Sequence, residues 1–80
     1  MSQNQPKKIL VAGGGGFIGG HLAGSLLAQG HEVVVADVKQ LDKWYQVHEG
    51  AQNHVVNLEE KEACYTVMEG CDDVYNLACN

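Results

Sequence analysis

The sequence predicts an α/β fold: a three-layer αβα arrangement around a parallel sheet of about four strands in the order 3-2-1-4. Three observations carry that expectation. Short continuous apolar runs alternate with stretches of helical periodicity, a glycine cluster stands where the first run meets the first helix, and single glycines close the helical stretches. Continuous apolar runs, as opposed to alternating ones, mark strands buried on both faces, which is the condition of a parallel sheet covered by helices.

Residues 1–7 read as a polar tail and 8–80 as one domain without an internal boundary. Ile9-Leu10-Val11-Ala12 is the first strand, stopped by four glycines. From Phe17, Ile18, Leu22 and Leu26 recur at helical spacing with Ala23 and Leu27 beside them, and Gly30 stands where a helix ends in the left-handed region. Val33-Val34-Val35-Ala36 is a second buried strand ending at Asp37. Between Lys39 and Asn53 the pattern is least legible. Leu41, Trp44, Tyr45 and Val47 lie at roughly helical spacing and predict a short helix packed on the sheet, with the aromatic pair in the core. His54-Val55-Val56 is a third strand, and Glu59 to Glu69 is a second helix whose apolar face is Ala63, Cys64, Val67 and Met68. Gly70 closes that helix, and Val74 to Ala78 is a fourth strand. Asn57 reads as a helix N-cap, with Glu60 three residues later completing a capping box.

Composition narrows the chemistry. Five basic against ten acidic residues leave a net charge of −5 with no basic stripe, which excludes a nucleic-acid binder of the usual kind. No apolar run approaches the roughly 20 residues of a membrane span, and a cytoplasmic setting is expected. The three cysteines, Cys64, Cys71 and Cys79, match neither a paired disulfide framework nor C-x-x-C metal spacing and read as reduced thiols. His21, His31, His48 and His54 include no pair at the i, i+4 spacing of a helical metal site, so surface or helix-end positions are expected and no metal.

The glycine cluster carries the function. In Gly13-Gly14-Gly15-Gly16-Phe17-Ile18-Gly19 the glycines at 13, 16 and 19 each have a task. Gly13 lets the chain turn off the strand, Gly16 leaves room for a pyrophosphate at the helix N-terminus, and Gly19 permits close packing of helix and strand. Free loop N–H groups and the positive end of the helix dipole would face the phosphates. Asp37, at the end of the second strand, is placed to accept the ribose hydroxyls of an adenosine. Such a carboxylate repels a 2′-phosphate, so NAD is expected over NADP, although Lys39 nearby leaves NADP open. Gly20 and Gly24 sit inside the helix, where glycine is costly; close packing against the sheet is one account, and Gly24 has no firm one.

Ala12-Gly-Gly-Gly-Gly-Phe-Ile-Gly-Gly-His-Leu22 resembles the T-G-x-x-G-F-I-G-S-H-L opening of the extended short-chain dehydrogenase/reductases, the nucleotide-sugar epimerases and dehydratases, with Ala12 for threonine and Gly20 for serine. The resemblance runs from Lys8 to the end of the chain and implies a Rossmann-like fold. It also implies that Asn57-Leu58 stands where the family has an Asp-Leu pair beside the adenine. Asn57 would then offer a carbonyl oxygen to the exocyclic amine, a role compatible with capping. Asn76-Leu77-Ala78-Cys79, where the family has a Leu-Ala-Ala type segment lining the cofactor, would pass along the ribose and nicotinamide side. The cofactor-binding positions expected are Gly13, Gly16, Phe17, Ile18, Gly19, Asp37, Asn57, Leu58, Leu77, Ala78 and Cys79.

Catalysis in the family uses a Y-x-x-x-K motif, and here Tyr45, Tyr65 and Tyr75 are followed four positions on by Glu49, Glu69 and Cys79. No catalytic residue is expected. Two readings follow: an NAD-binding N-terminal portion of a nucleotide-sugar epimerase or dehydratase, itself inactive, or a stand-alone nucleotide-binding or interaction module. In either case the outer edge of the fourth strand is expected to be unpaired and to favour self-association or a partner chain.

Overall fold

The computed structural model describes residues 5–77, so Ala78 and Cys79 lie outside the described residues. Strand β1 (Lys8–Ala12), helix α1 (Phe17–Ala28), strand β2 (Glu32–Asp37), strand β3 (Gln52–Val55), helix α2 (Lys61–Met68) and strand β4 (Asp73–Asn76) follow in order. The strands form one sheet in the order β3-β2-β1-β4, and every pairing is parallel, as the sequence predicts.

The apolar runs explain why the sheet is covered on both sides. Side chains alternate along a strand. Ile9, Val11, Val33 and Val35 therefore meet Ala23 and Leu26 of α1, together with Trp44, on one face. Leu10, Val34 and Ala36 meet Val67 of α2 on the other. Leu10, Val11, Val33, Val34 and Val35 are the largest fully buried side chains, so both cores are anchored on the two central strands. This is the three-layer arrangement. Burial also acts on chemistry here: it pushes the Cys71 thiol, at the rim of the second core, above its ordinary range.

Helix α1 ends as its composition requires. Gly30 has φ +92°, its N–H donates to the Leu27 carbonyl at 2.9 Å, and the His31 N–H donates to the Leu26 carbonyl at 3.1 Å. These two bonds are a Schellman closure, which places Gly30 where only glycine is unstrained. At the opposite end of the sheet from the glycine loop, Lys7 Nζ lies 3.1 Å from Asp73 Oδ2. Asp73 raises the Lys7 pKa, chiefly through this hydrogen bond, but the pair is solvent-exposed and adds little stability.

Four expectations are corrected. The segment after β2 forms only a 3₁₀ turn, Leu41–Lys43, and no helix through Val47. Trp44 leaves that turn in an extended conformation (φ −74°, ψ 144°) because its indole N–H donates to the Lys39 carbonyl at 2.8 Å and the next residue, Tyr45, donates its N–H to the Gly15 carbonyl at 2.8 Å. Only Trp44 of the aromatic pair is core. Tyr45 is 61% exposed, edge-on to Phe17.

Strand β3 starts two residues earlier than its apolar residues suggest, because parallel pairing with β2 (Val34↔Gln52 to Asp37↔Val55) sets its bounds. Finally, Asn57 is not the N-cap of α2. Its Oδ1 accepts the Glu59 N–H at 3.0 Å, a local turn, and the N-cap is Glu60 itself, without a side-chain cap. The capping box therefore does not form.

Candidate functional site

The C-terminal ends of the parallel strands open on a cleft of about 720 Å³, within the range of nucleotide-sized sites. In an open α/β sheet this is where ligands bind. The cleft is built by three segments: the turn after β1 (Gly13 and Gly16), the end of β2 (Asp37, Val38 and Lys39), and the loop after β3 (Val56 to Glu59). Leu10 and Ala12 of β1, Cys64 and Met68 of α2, Val74 and Asn76 of β4, and Leu77 just after it complete the lining.

The turn after β1 is held tightly. Gly13 has φ +81°, and its N–H donates to the Ala36 carbonyl at 2.8 Å, which tucks the loop against the end of β2. The N–H of Gly14 shares that carbonyl at 3.3 Å, that of Gly15 goes to Asp37 Oδ2 at 2.9 Å, and that of Gly16 goes to the Gly13 carbonyl at 3.3 Å. The loop amides expected to face a phosphate are thus used internally. The donors presented outward are those of the first turn of α1, which a helix leaves without intrahelical partners. Gly16 is the N-cap of α1, with no side-chain cap, and the first turn of the helix itself holds no acidic residue, so the positive end of the helix dipole faces the cleft without a carboxylate of its own.

The individual glycines divide by what a side chain would meet. At Gly16 a Cβ would find only the Gly13 carbonyl oxygen, at 3.7 Å, and open cleft beyond it. At Gly19 it would lie 2.6 Å from both the Gly13 oxygen and the Gly14 Cα, so this glycine is required by the fold, through contact with the loop and not with the strand.

Asp37 is 8% exposed, the one charged side chain buried in the core among the described residues. A buried carboxylate needs hydrogen bonds. It takes one backbone N–H on each oxygen: Gly15 on Oδ2 at 2.9 Å and Lys39 on Oδ1 at 3.0 Å. A carboxylate accepts about four hydrogen bonds, so acceptor capacity remains.

Of the residues expected from sequence, the structure brings Gly13, Gly16, Asp37, Asn57, Leu58 and Leu77 into the lining of this one cleft. Phe17 and Ile18, in the first turn of α1, are 55% and 69% exposed and their side chains lie outside that lining; Phe17 packs against His21 and Tyr45. Gly19 is buried behind the loop. Sequence reasoning passed over the contact of Trp44 with the loop: a Cβ on Gly15 would meet Trp44 Cδ1 at 2.8 Å. The glycines inside α1 signal the segment that follows Trp44, not Trp44 itself. Gly20 faces Gln46, and Gly24 faces the imidazole of His48, whose Nε2 bonds the Gly20 carbonyl oxygen at 2.8 Å.

His48 is accordingly half-buried and structural, and no group of three His, Cys, Asp or Glu suited to a metal occurs among the described residues. No described helix is long and apolar enough to cross a membrane.

A parallel 3-2-1-4 sheet, a glycine turn and a buried carboxylate at the second strand are the features on which the chain can be set beside known proteins. GDP-mannose 3,5-epimerase of Arabidopsis thaliana is 39% identical over 71 residues, covering 89% of this chain and 19% of that protein. UDP-glucuronic acid decarboxylase 1 of Danio rerio is 33% identical over 84 residues, covering 98% of this chain and 19% of that protein. Among solved structures, UDP-glucose 4-epimerase of Thermus thermophilus in complex with NAD superposes with a TM-score of 0.75 at 32% identity, over 91% of this chain and 24% of that one. The epimerase Mth375 of Methanothermobacter thermautotrophicus gives 0.80 at 26% identity, over 94% and 23%. The chain therefore spans about a fifth of the length of the curated relatives it matches. The profile of the NAD dependent epimerase/dehydratase family matches residues 9–80, nearly the whole strand-helix-strand framework described above, and the chain belongs to that family.

Proposed function

We propose that this chain binds the adenosine and pyrophosphate of NAD and forms the N-terminal cofactor-binding portion of a nucleotide-sugar epimerase or dehydratase, of the GDP-mannose 3,5-epimerase kind. The observation that carries the reading is Asp37. It is a buried carboxylate at the end of β2, fixed by two backbone N–H groups and lining a cleft of about 720 Å³ next to a helix N-terminus that has no side-chain cap. The 39% identity to a GDP-mannose 3,5-epimerase supports the finer assignment.

In this reading the first-turn amides of α1, at Phe17, Ile18 and Gly19, take the pyrophosphate, with Gly13 and Gly16 giving it room. Asp37 accepts the ribose hydroxyls, Leu58 packs on the adenine, and Asn57 faces its amine. Asn57 Oδ1 already accepts one N–H from Glu59, which leaves its second lone pair for that amine. Leu77 and, by family resemblance alone, Ala78 and Cys79 are assigned to the ribose and nicotinamide side. Bound NAD supplies a hydride acceptor for a sugar carbon. This chain's residues contribute binding and orientation only, since its sequence holds no Y-x-x-x-K motif. Lys39 lines the same cleft, but the buried charge of Asp37 beside it disfavours a 2′-phosphate. The cytoplasm, where Cys64 and Cys71 stay free thiols, is the setting that fits.

Titration calorimetry tests this. NAD and ADP-ribose are expected to bind saturably, at about millimolar affinity or better, with NADP weaker. A folded chain that binds neither NAD nor ADP-ribose refutes the reading.

We further propose that the chain associates through β4. Among the described residues this strand is paired on one side only, and Val74, Tyr75 and Leu77 are 45%, 41% and 38% exposed. Such an edge templates pairing with another strand. Light scattering of the 80-residue polypeptide is expected to show mass rising with concentration, and a Val74→Lys variant is expected to suppress the rise. A constant monomer mass would overturn the proposal.

A further inference from the structure

The residues Trp44 to His48 form a strap that runs from the ring of contacts around Asp37 to Gly20 and Gly24 of α1. At its first end the bonds close a circuit. The Trp44 ring lies against Gly15, where a Cβ would come within 2.9 Å of both Trp44 Cγ and Asp37 Oδ2. The Tyr45 N–H donates to the Gly15 carbonyl at 2.8 Å, while the Gly15 N–H donates to Asp37 Oδ2 at 2.9 Å. The Trp44 indole N–H donates to the Lys39 carbonyl at 2.8 Å, while the Lys39 N–H donates to Asp37 Oδ1 at 3.0 Å. Both donors that fix the carboxylate thus belong to residues that Trp44 adjoins: its ring lies against Gly15, and its indole N–H holds the Lys39 carbonyl. At its far end the strap is fastened to α1. Gln46 packs over Gly20, the His48 ring packs over Gly24, and His48 Nε2 donates to the Gly20 carbonyl at 2.8 Å. The Asn53 amide, donating to the His48 carbonyl at 3.0 Å, holds the strap from the side of β3.

We propose that this strap is a specificity element: Trp44 is a positioning residue that orients the Asp37 carboxylate for a ribose diol against a 2′-phosphorylated ribose, and Gly20 and Gly24 are the seat that lets the strap lie down. The inference rests on the nucleotide-binding reading of Asp37. Its physical basis is that a buried carboxylate held on both oxygens cannot rotate to compensate when its two donors shift. An error at Trp44 is thus passed to the remaining acceptor sites, which are the ones a ribose would use. It also gives Gly24 a purpose. Glycine inside a helix is unfavourable relative to alanine, and a Cβ here would lie 2.9 Å from His48 Cε1.

The test is calorimetry with NAD and NADP on the unmodified chain and on Trp44→Phe, Gly24→Ala and His48→Ala, with circular dichroism confirming the fold of each. Trp44→Phe keeps a buried ring and removes the indole donor. It is expected to weaken NAD by about five- to tenfold and NADP much less, the loss associated with one neutral hydrogen bond. Gly24→Ala, which favours the helix, is expected to shrink the NAD over NADP preference in the same direction and to have no further effect in the His48→Ala background. If Trp44→Phe does not fold, Gly24→Ala decides. If the unmodified chain prefers NAD and the variants keep that ratio, or weaken both nucleotides equally, the strap is packing alone and the inference fails. If the unmodified chain binds neither nucleotide, the reading of Asp37 fails instead.

Discussion

A Gly19→Val chain is expected to lose about 3 kcal/mol of stability, the upper end of what overpacking costs, and to lose nucleotide binding with it. The first atom of any side chain at position 19 would sit 2.6 Å from the Gly13 carbonyl oxygen and the Gly14 Cα. Both are backbone atoms, and neither can swing aside. The loop cannot retreat as a body either, because Gly13 at φ +81° is bonded to the Ala36 carbonyl at 2.8 Å and Gly14 shares the same acceptor. For a domain of this size about 3 kcal/mol corresponds to a fall in Tm on the order of 10–20 °C, readable by thermal denaturation. Gly16→Ala is the companion measurement. Its Cβ meets nothing closer than 3.7 Å, so Tm is expected to hold while nucleotide affinity drops, since the added methyl faces the cleft. Equal thermal stability for Gly19→Val and the unmodified chain would show that the loop does not pack on α1 as described.

The second large effect is expected at Asp37. On the proposed reading, Asp37→Ala removes the acceptor for both ribose hydroxyls and the charge that would repel a 2′-phosphate. NAD should weaken by about 10- to 100-fold, the equivalent of roughly 1.5–3 kcal/mol for hydrogen bonds to a charged group, and the preference over NADP should fall towards unity. Part of the damage is internal, because the Gly15 and Lys39 N–H groups lose their partner. Asp37→Asn separates the two effects. An amide keeps one acceptor for the backbone but has no charge, so it should restore much of the stability and little of the discrimination. A chain with Asp37→Ala that still prefers NAD, measured by competition calorimetry, would place the discriminating group elsewhere.

The framework of this fold lies on the surface of its sequence because the residues that build it act locally. Ile9 to Ala12 and Val33 to Ala36 announce strands buried on both faces, and Gly30 announces the end of α1. The placement of Gly13, Gly16 and Asp37 in one cleft follows from the strand-turn-helix-strand order, since parallel strands bring their C-terminal ends together. What stayed hidden depends on partners far along the chain. Trp44 and Val47 share a helical spacing, but the segment is pulled extended by bonds to Lys39 and to Gly15, which periodicity cannot register. Asn57 and Glu60 have the spacing of a capping box, yet the Asn57 side chain finds the nearer Glu59 N–H first. The internal use of the loop amides by Ala36 and Asp37 is likewise a tertiary fact. Gly24 is the instructive case: a residue that contradicts its own helix was a pointer to an object packed against it, and the object, His48, lies in the least legible stretch.

Trp44 is the single tryptophan of the chain, buried to 6% exposure and in contact with the glycine turn. The molecule thus carries its own optical reporter, placed where the turn meets the carboxylate and insulated from bulk water. Excitation of that one indole reads the local dielectric and the proximity of a quenching base without any dye. Association and release of the proposed nucleotide would then be timed by stopped flow on the unlabelled polypeptide, with no second indole to blur the signal.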